Sequence, residues 1–291
     1  MSSLHPLHAQ LSAILQARHN LAVNATWLND FLQSRGTNPP PLAVLASTAH
    51  FRILASDITA TLSPTGAADV FPAGVADVNV KEHLLGGTVI TQVLDVLDVG
   101  SSKWSQVEAI ERVERGEEVR GREVIRTVDV MDGDNNAPAA DPASAASAGA
   151  RLSTSNSTSN SNSATTSSKL SLGPHKLLLQ DVAGTKVLAF ELVKVPKIGL
   201  SVAASVPVPQ NQGFAGAAAA AVPASDDPGM FIGCKLLLKP GTVVRRGMVM
   251  LTPGNCVSLG GKVEAWDRKW KEQRKERLAA LIRDENVTTA E

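Results

Sequence analysis

The stretch Gly233-Cys-Lys-Leu-Leu-Leu-Lys-Pro-Gly-Thr-Val-Val-Arg-Arg-Gly-Met-Val-Met-Leu-Thr-Pro-Gly-Asn-Cys-Val-Ser-Leu-Gly-Gly261 decides the fold class. Its apolar runs, 234–239, 243–244, 248–251 and 256–259, are each strand-length. Between them stand Pro240-Gly241, Gly247 and Pro253-Gly254-Asn255. Short apolar runs punctuated by Pro, Gly and Asn read as strands joined by tight turns.

Upstream the same signature recurs. The run 176–181, the turn Val182-Ala-Gly184 and the run 185–192 predict a β-hairpin. Gly86 and Gly87 precede a β-branched run over 88–97. About five strands in a core of roughly eighty residues suit a small closed barrel, of which the OB fold is the commonest five-stranded form. Two compositional islands interrupt it. Residues 132–168 are almost entirely Ser, Asn, Thr, Ala, Gly, Asp and Pro, and cannot bury enough apolar surface to offset chain entropy. Residues 201–229 are Ala-rich and Pro-spaced, and read as a second flexible insertion.

Helices flank the barrel. Leu4, Leu7, Leu11 and Leu15 recur at helical spacing. Thr26 is placed to cap a helix carrying Trp27, Leu28, Phe31 and Leu32, which Gly36 and Pro39-Pro40-Pro41 stop. A further helix is expected from Leu42 to about Leu62, with Leu45, Ala49, Ile53 and Leu54 on one side. The C-terminal helix, 263–283, puts Trp266 and Trp270 on one face. Packing against the chain itself is the preferred reading of that pair, and docking a partner the sharper one. The expected architecture is mainly β with helices: an N-terminal helical bundle over 1–75, a five-stranded OB barrel over 76–262 with flexible insertions at 100–173 and 201–229, and a C-terminal helix over 263–291.

Composition narrows the function. Twenty-eight basic and 28 acidic residues cancel, so phosphate neutralisation is not the expected source of affinity. Six Phe, four Trp and no Tyr leave few platforms for stacking bases. Cys234 and Cys256 read as buried small hydrophobes in a reducing compartment. No apolar run reaches the length of a membrane span, and the N-terminus lacks the pattern of a secretory signal. A cytosolic or nuclear protein is expected, with the sequons at Asn24, Asn156 and Asn286 unused.

The sequence offers no phosphate-cradling Gly loop, no dinucleotide fingerprint and no nucleophile elbow. Its six histidines are scattered, without metal-ligand spacing. No catalytic residue, metal site or cofactor is predicted.

The unusual segment follows the first strand, from Ser101 to Val128. Lys103 to Arg126 carries six basic and six acidic residues. Glu108 with Arg112, and Glu111 with Arg115, have the spacing of helix-supporting ion pairs. Val107, Ile110 and Val113 form a narrow apolar edge, and Val124, Ile125 and Val128 suggest a docking strand. A solvated, salt-bridged excursion is the plain reading. Against it, Trp104 in so polar a setting is costly unless it packs, and Trp with Arg on a protrusion is the chemistry of interface hot spots. The candidate partner-binding residues are Trp104, Gln106, Glu108, Glu111, Glu114, Arg115, Arg120, Arg122 and Arg126.

The block 233–261, continued by Val263-Glu264-Ala265, resembles the RecQ-mediated genome instability protein 1 family. Its Arg-Gly strand entry, Pro-Gly-Asn turn and Leu-Gly-Gly-x-Val-Glu close carry the likeness. The hairpin 177–184 resembles that family's paired strands. The segments 104–108, 114–117 and 121–126 look like the insertion of its fungal members. The resemblance implies a non-catalytic partner of topoisomerase III that joins it to a RecQ-type helicase in the nucleus. Such a complex resolves double Holliday junctions without crossovers and separates interlinked DNA. It also implies that the barrel docks on the topoisomerase while the insertion reaches the DNA gate, with weak DNA contact an accompaniment. Topoisomerases of that type cut DNA with a tyrosine, which this sequence does not contain. The second OB domain of longer animal members is not expected here. Two rival readings are an OB-fold single-stranded DNA-binding protein and a Tudor-domain-containing topoisomerase partner.

Overall fold

The computed structural model describes residues 4–36, 39–115, 171, 173–200 and 229–288. The low-complexity stretch 132–168, most of 201–229 and the expected strand at 124–128 lie outside the described residues.

Four helices come first: α1 (His8–His19), α2 (Ala25–Gln33), α3 (Leu42–Leu54) and α4 (Ile58–Thr61). Leu11, Leu15, Leu28, Leu32, Leu45 and Ile53 are buried in one cluster at helical spacing, so the apolar faces pack on each other. Leu4 stays exposed. Two expectations need correction. The cap of α2 is Asn24, whose side chain accepts from Thr26 N–H (2.9 Å) and Trp27 N–H (3.2 Å). Thr26 already lies inside the helix, because Asn24 is where the backbone is still extended. The helix expected to reach about Leu62 breaks at Ser56, and Asp57 caps α4 by accepting from Thr59 N–H.

Eight strands follow: β1 (His83–Leu84), β2 (Val89–Asp98), β3 (His175–Asp181), β4 (Lys186–Glu191), β5 (Lys235–Leu238), β6 (Val243–Arg245), β7 (Met248–Leu251) and β8 (Cys256–Gly260). They form one curled sheet in the order β1-β6-β7-β4-β3-β2-β5-β8. β7 and β8 follow one another across the turn at 252–255. The first pairs parallel with β4 and the second antiparallel with β5, while β5 also pairs with β2. The five runs β2, β3, β4, β7/β8 and β5 thus return on themselves, as an OB barrel requires. The short β1–β6 ladder is an addition that the sequence pattern did not show.

Turn chemistry sets these joints. Arg246 (φ 48°) and Gly247 (φ 74°) make a two-residue hairpin with both residues left-handed. A Cβ on Gly247 would also lie 2.5 Å from the Ala76 carbonyl. The barrel core is formed by inward residues such as Val93, Leu177, Leu179, Leu236, Val249 and Leu251. Each such side chain contributes roughly 1.5–3 kcal/mol on burial. Cys234 and Cys256 are free and buried among them; burial raises both thiols, Cys256 to about 12.

Buried polar groups lock the helices to the barrel. Gln92 Nε2 donates to Asp57 Oδ1 (2.7 Å) and Gln180 Oε1 (3.0 Å), while its Oε1 accepts from Ile58 N–H (3.1 Å). Lys235, fully buried, donates to the carbonyls of Ser56 (2.7 Å) and Gly233 (2.6 Å). Burial lowers its ammonium to about 8.

Candidate functional site

The long insertion leaves the barrel after β2 and returns at β3, and both ends are pinned. Asp98 accepts from Gly100 N–H and the Ser101 hydroxyl (both 2.8 Å). Val99 N–H donates to the Pro174 carbonyl. On the returning side His175 is buried, with Nδ1 2.5 Å from Glu191 Oε2 and Nε2 2.7 Å from Ser171 Oγ.

Between these ends the chain forms α5 (Lys103–Glu114). Ser102 caps it, accepting from Ser105 N–H (3.1 Å). The helix lies against α6 (Glu264–Thr288), whose start is tucked onto the barrel. Gly233 makes that approach work, because a Cβ there would stand 2.5 Å from Val263. Trp270 enters the barrel core, with Trp266 packed beside it, so the aromatic pair packs on its own chain. Trp270 Nε1 donates to Asp95 Oδ1 (2.5 Å), and Arg277 grips the same carboxylate with two bonds of 3.0 and 3.1 Å. Such a planar two-bond pair fixes orientation as well as position.

The inward face of α5 is Gln106, Val107 and Ile110. Val107 and Ile110 pack on Leu278 and Ile282 of α6 and on Leu97 of β2. Gln106 Nε2 donates to the carbonyls of Asp98 (2.9 Å) and Ser101 (3.0 Å), and its Oε1 accepts from Arg274 at 3.4 Å. Burial lowers the Arg274 guanidinium to about 10, with Asp98 pulling the other way, and its Cζ stands 5.1 Å from the centre of the Trp270 ring. Lys275 bonds Glu111 (3.2 Å) and Glu114 (2.8 Å), and Lys103 pairs with Glu285.

The candidate residues separate by helix face. Trp104, Glu108 and Arg115 point outward, with Arg115 3.8 Å from Glu111. Trp104 is 68% exposed and borders a cleft of about 390 Å³ lined also by Leu97, Val99, Ser102 and Ile282. Gln106 is buried, and Glu111 and Glu114 serve the seam with α6. Arg120, Arg122 and Arg126 lie outside the described residues. Sequence reasoning missed Arg274, Lys275 and Glu285 as supports. The signal was the matching i, i+4 pair Leu278 and Ile282, spaced to meet Val107 and Ile110.

Among the described residues no group of three or more His, Cys, Asp or Glu side chains could hold a metal ion. No described helix is long and apolar enough to cross a membrane.

A helical N-terminal domain on an OB barrel, with a helix-led insertion after the barrel's first strand, defines the class. A family model described as "RMI1, N-terminal OB-fold domain" matches residues 71–205 and 220–274. A second, "RMI1, N-terminal helical domain", matches residues 15–61. The chain belongs to the RMI1 family. RecQ-mediated genome instability protein 1 of Schizosaccharomyces pombe is a relative, 24% identical over 254 residues that cover 85% of each chain.

Proposed function

We propose that this protein is a non-catalytic OB-fold subunit of a nuclear RecQ helicase–topoisomerase III complex. In it the chain stimulates double Holliday junction dissolution and decatenation, and so maintains genome stability. The link to RecQ rests on the name of the relative, and the topoisomerase on the family resemblance of the barrel and its insertion.

The observation that carries the reading is the setting of Trp104. A large apolar ring stands 68% exposed on a helix that is itself clamped to α6 and β2. Holding such an anchor in place before contact lowers the entropy cost of binding. The outward charges Glu108 and Arg115 supply the rim. The barrel and α6 provide the rigid mount, and the chemistry of strand passage stays with the partner.

The test is a binding titration and a decatenation assay with topoisomerase III from the same source. Trp104→Ala is expected to weaken binding by at least about tenfold, since an anchoring Trp contributes about 2 kcal/mol or more. The melting temperature should not move, because the ring contributes little to packing. Stimulation of decatenation should fall in step with affinity. Unaltered affinity and stimulation in Trp104→Ala would remove α5 from the contact.

A further inference from the structure

A cavity of about 220 Å³ opens where the helical domain meets the barrel, and it shares no lining residue with the cleft beside Trp104. Its walls come from the end of α1, the segment after α4, the start of β2 and the turn after β3. Backbone bonds fix that arrangement. Ser63 N–H donates to the Ala22 carbonyl (2.9 Å), and Val23 forms a β-bridge with Leu62. Leu62, Ile90 and Val182 supply an apolar lining, and all three also belong to or pack on the helical core.

The polar lining has one sign of charge. Asp69 is the one charged residue that lines the cavity. It accepts from the Thr65 hydroxyl and pairs with no described Lys or Arg. The last turn of α1 adds the partial negative charge of a helix C-terminus. The basic residues of that turn, Arg18 and His19, do not line the cavity. Gln16, Asn20 and Thr88 do line it, and their side chains bond no other described residue.

This chemistry selects a ligand. A phosphate or carboxylate finds no Lys, Arg or His in the lining, and a base finds no ring on which to stack. A cation on an apolar stem matches both halves of the wall. A guanidinium matches better than an ammonium, because its five donors lie in a fixed plane and it is more weakly hydrated. Asp69 takes two of those donors, and the Gln16 and Asn20 amide oxygens and the Thr88 hydroxyl are acceptors for the rest. The stem then lies on Leu62, Ile90 and Val182. Nothing in the lining receives the carboxylate of free arginine, so the backbone end of the ligand stays outside.

We propose that this cavity is a binding site for an arginine side chain presented by another protein. The site is separate from α5 and from the function proposed above.

The experiment is a nuclear magnetic resonance titration of the intact, isotope-labelled chain with N-acetyl-arginine-methylamide. Saturable shifts are expected in the side-chain amide signals of Gln16 and Asn20 and in the Val182 N–H, with a dissociation constant of about 1 mM, as suits one isolated side chain. Asp69→Asn should weaken binding at least about fivefold, since it removes the charge from the pair. Should that variant fold poorly, Gln16→Ala, at an exposed helix position, should weaken binding at least about twofold. N-acetyl-lysine-methylamide and free L-arginine should each bind several-fold more weakly, and thymidine monophosphate should leave the three signals in place. The absence of saturable shifts, or unchanged affinity in well-folded Asp69→Asn or Gln16→Ala, overturns the site. Equal binding of the lysine compound overturns the guanidinium assignment, and equal binding of free arginine overturns the protein source. Shifts of the same signals by the nucleotide overturn the proposal in favour of a nucleic-acid contact. None of these outcomes alters the expectation for Trp104→Ala and topoisomerase III.

Discussion

The barrel is joined to helices along two seams that place their polar groups differently, buried in one and at the rim in the other. Toward α3 and α4 the seam carries buried polar groups beside Ile90 and Val182, which pack on the helical cluster. Gln92 and Lys235, both fully buried, reach out of the barrel to Asp57, Ile58 and Ser56, with Gln180 holding Gln92 from the barrel side. Toward α5 and α6 the seam has an apolar centre, with Trp270, Leu278 and Ile282 on one side and Val107, Ile110 and Leu97 on the other. Its rim is a set of partly exposed ion pairs around Lys275, Lys103 and Arg277. A seam with buried polar bonds admits one register, since a slip strands buried donors. An apolar seam with a charged rim fixes position by shape and lets the rim vary. The candidate contact residues stand on the second seam, where the surface can diverge while the mount is kept.

Substitutions in each seam should separate these principles. Trp270→Ala should have the largest effect, about 3–5 kcal/mol by denaturant titration, because it empties part of the barrel core and removes one of the donors to Asp95. Topoisomerase binding should fall with it, as α5 loses its mount. Gln92→Ala should cost about 2 kcal/mol by leaving the buried Ile58 N–H without its acceptor and removing one donor from Asp57. It should also let the helical domain melt ahead of the barrel, seen as a separate calorimetric transition. A single unshifted transition would show that the polar bonds of that seam are not what couples the two parts.

Lys235 gives the polar seam a pH signature. Its folded value, about 8, lies below the ordinary lysine value of 10.5. Between those limits the folded chain binds fewer protons than the unfolded one, so this residue makes stability rise as pH increases through about 8. Wild type should therefore gain on Lys235→Met in melting temperature between pH about 8 and about 9. A constant difference between the two proteins over that range would contradict the assignment. The smallest effect belongs to the rim. Lys275→Ala should cost no more than about 0.5 kcal/mol, because surface pairs are weak.

Much of the barrel was legible, because its strands are bounded by residues with strict backbone preferences. Pro240-Gly241, Arg246-Gly247 and Pro253-Gly254-Asn255 each fall at a joint. What escaped was set by long-range pairing. The β1 strand has two residues, too few for any periodicity, and exists only because β6 lies beside it. The helix cap lies at Asn24 rather than Thr26 because the backbone is still extended there, and Asn is the stronger capping residue. In the insertion, balanced charge suggested a solvated excursion, yet Val107 and Ile110 suffice to dock α5 once Leu278 and Ile282 face them. Gln106 looked like a surface residue because its partners are backbone carbonyls of Asp98 and Ser101, which no side-chain pattern reveals.

The most direct test of the adaptor account is isothermal titration of the intact chain into topoisomerase III, beside Trp104→Ala. The account predicts one-to-one binding with a dissociation constant below about 1 μM, weakened at least about tenfold by the substitution. No binding heat with the wild-type chain, or equal affinity for the two proteins, would contradict it.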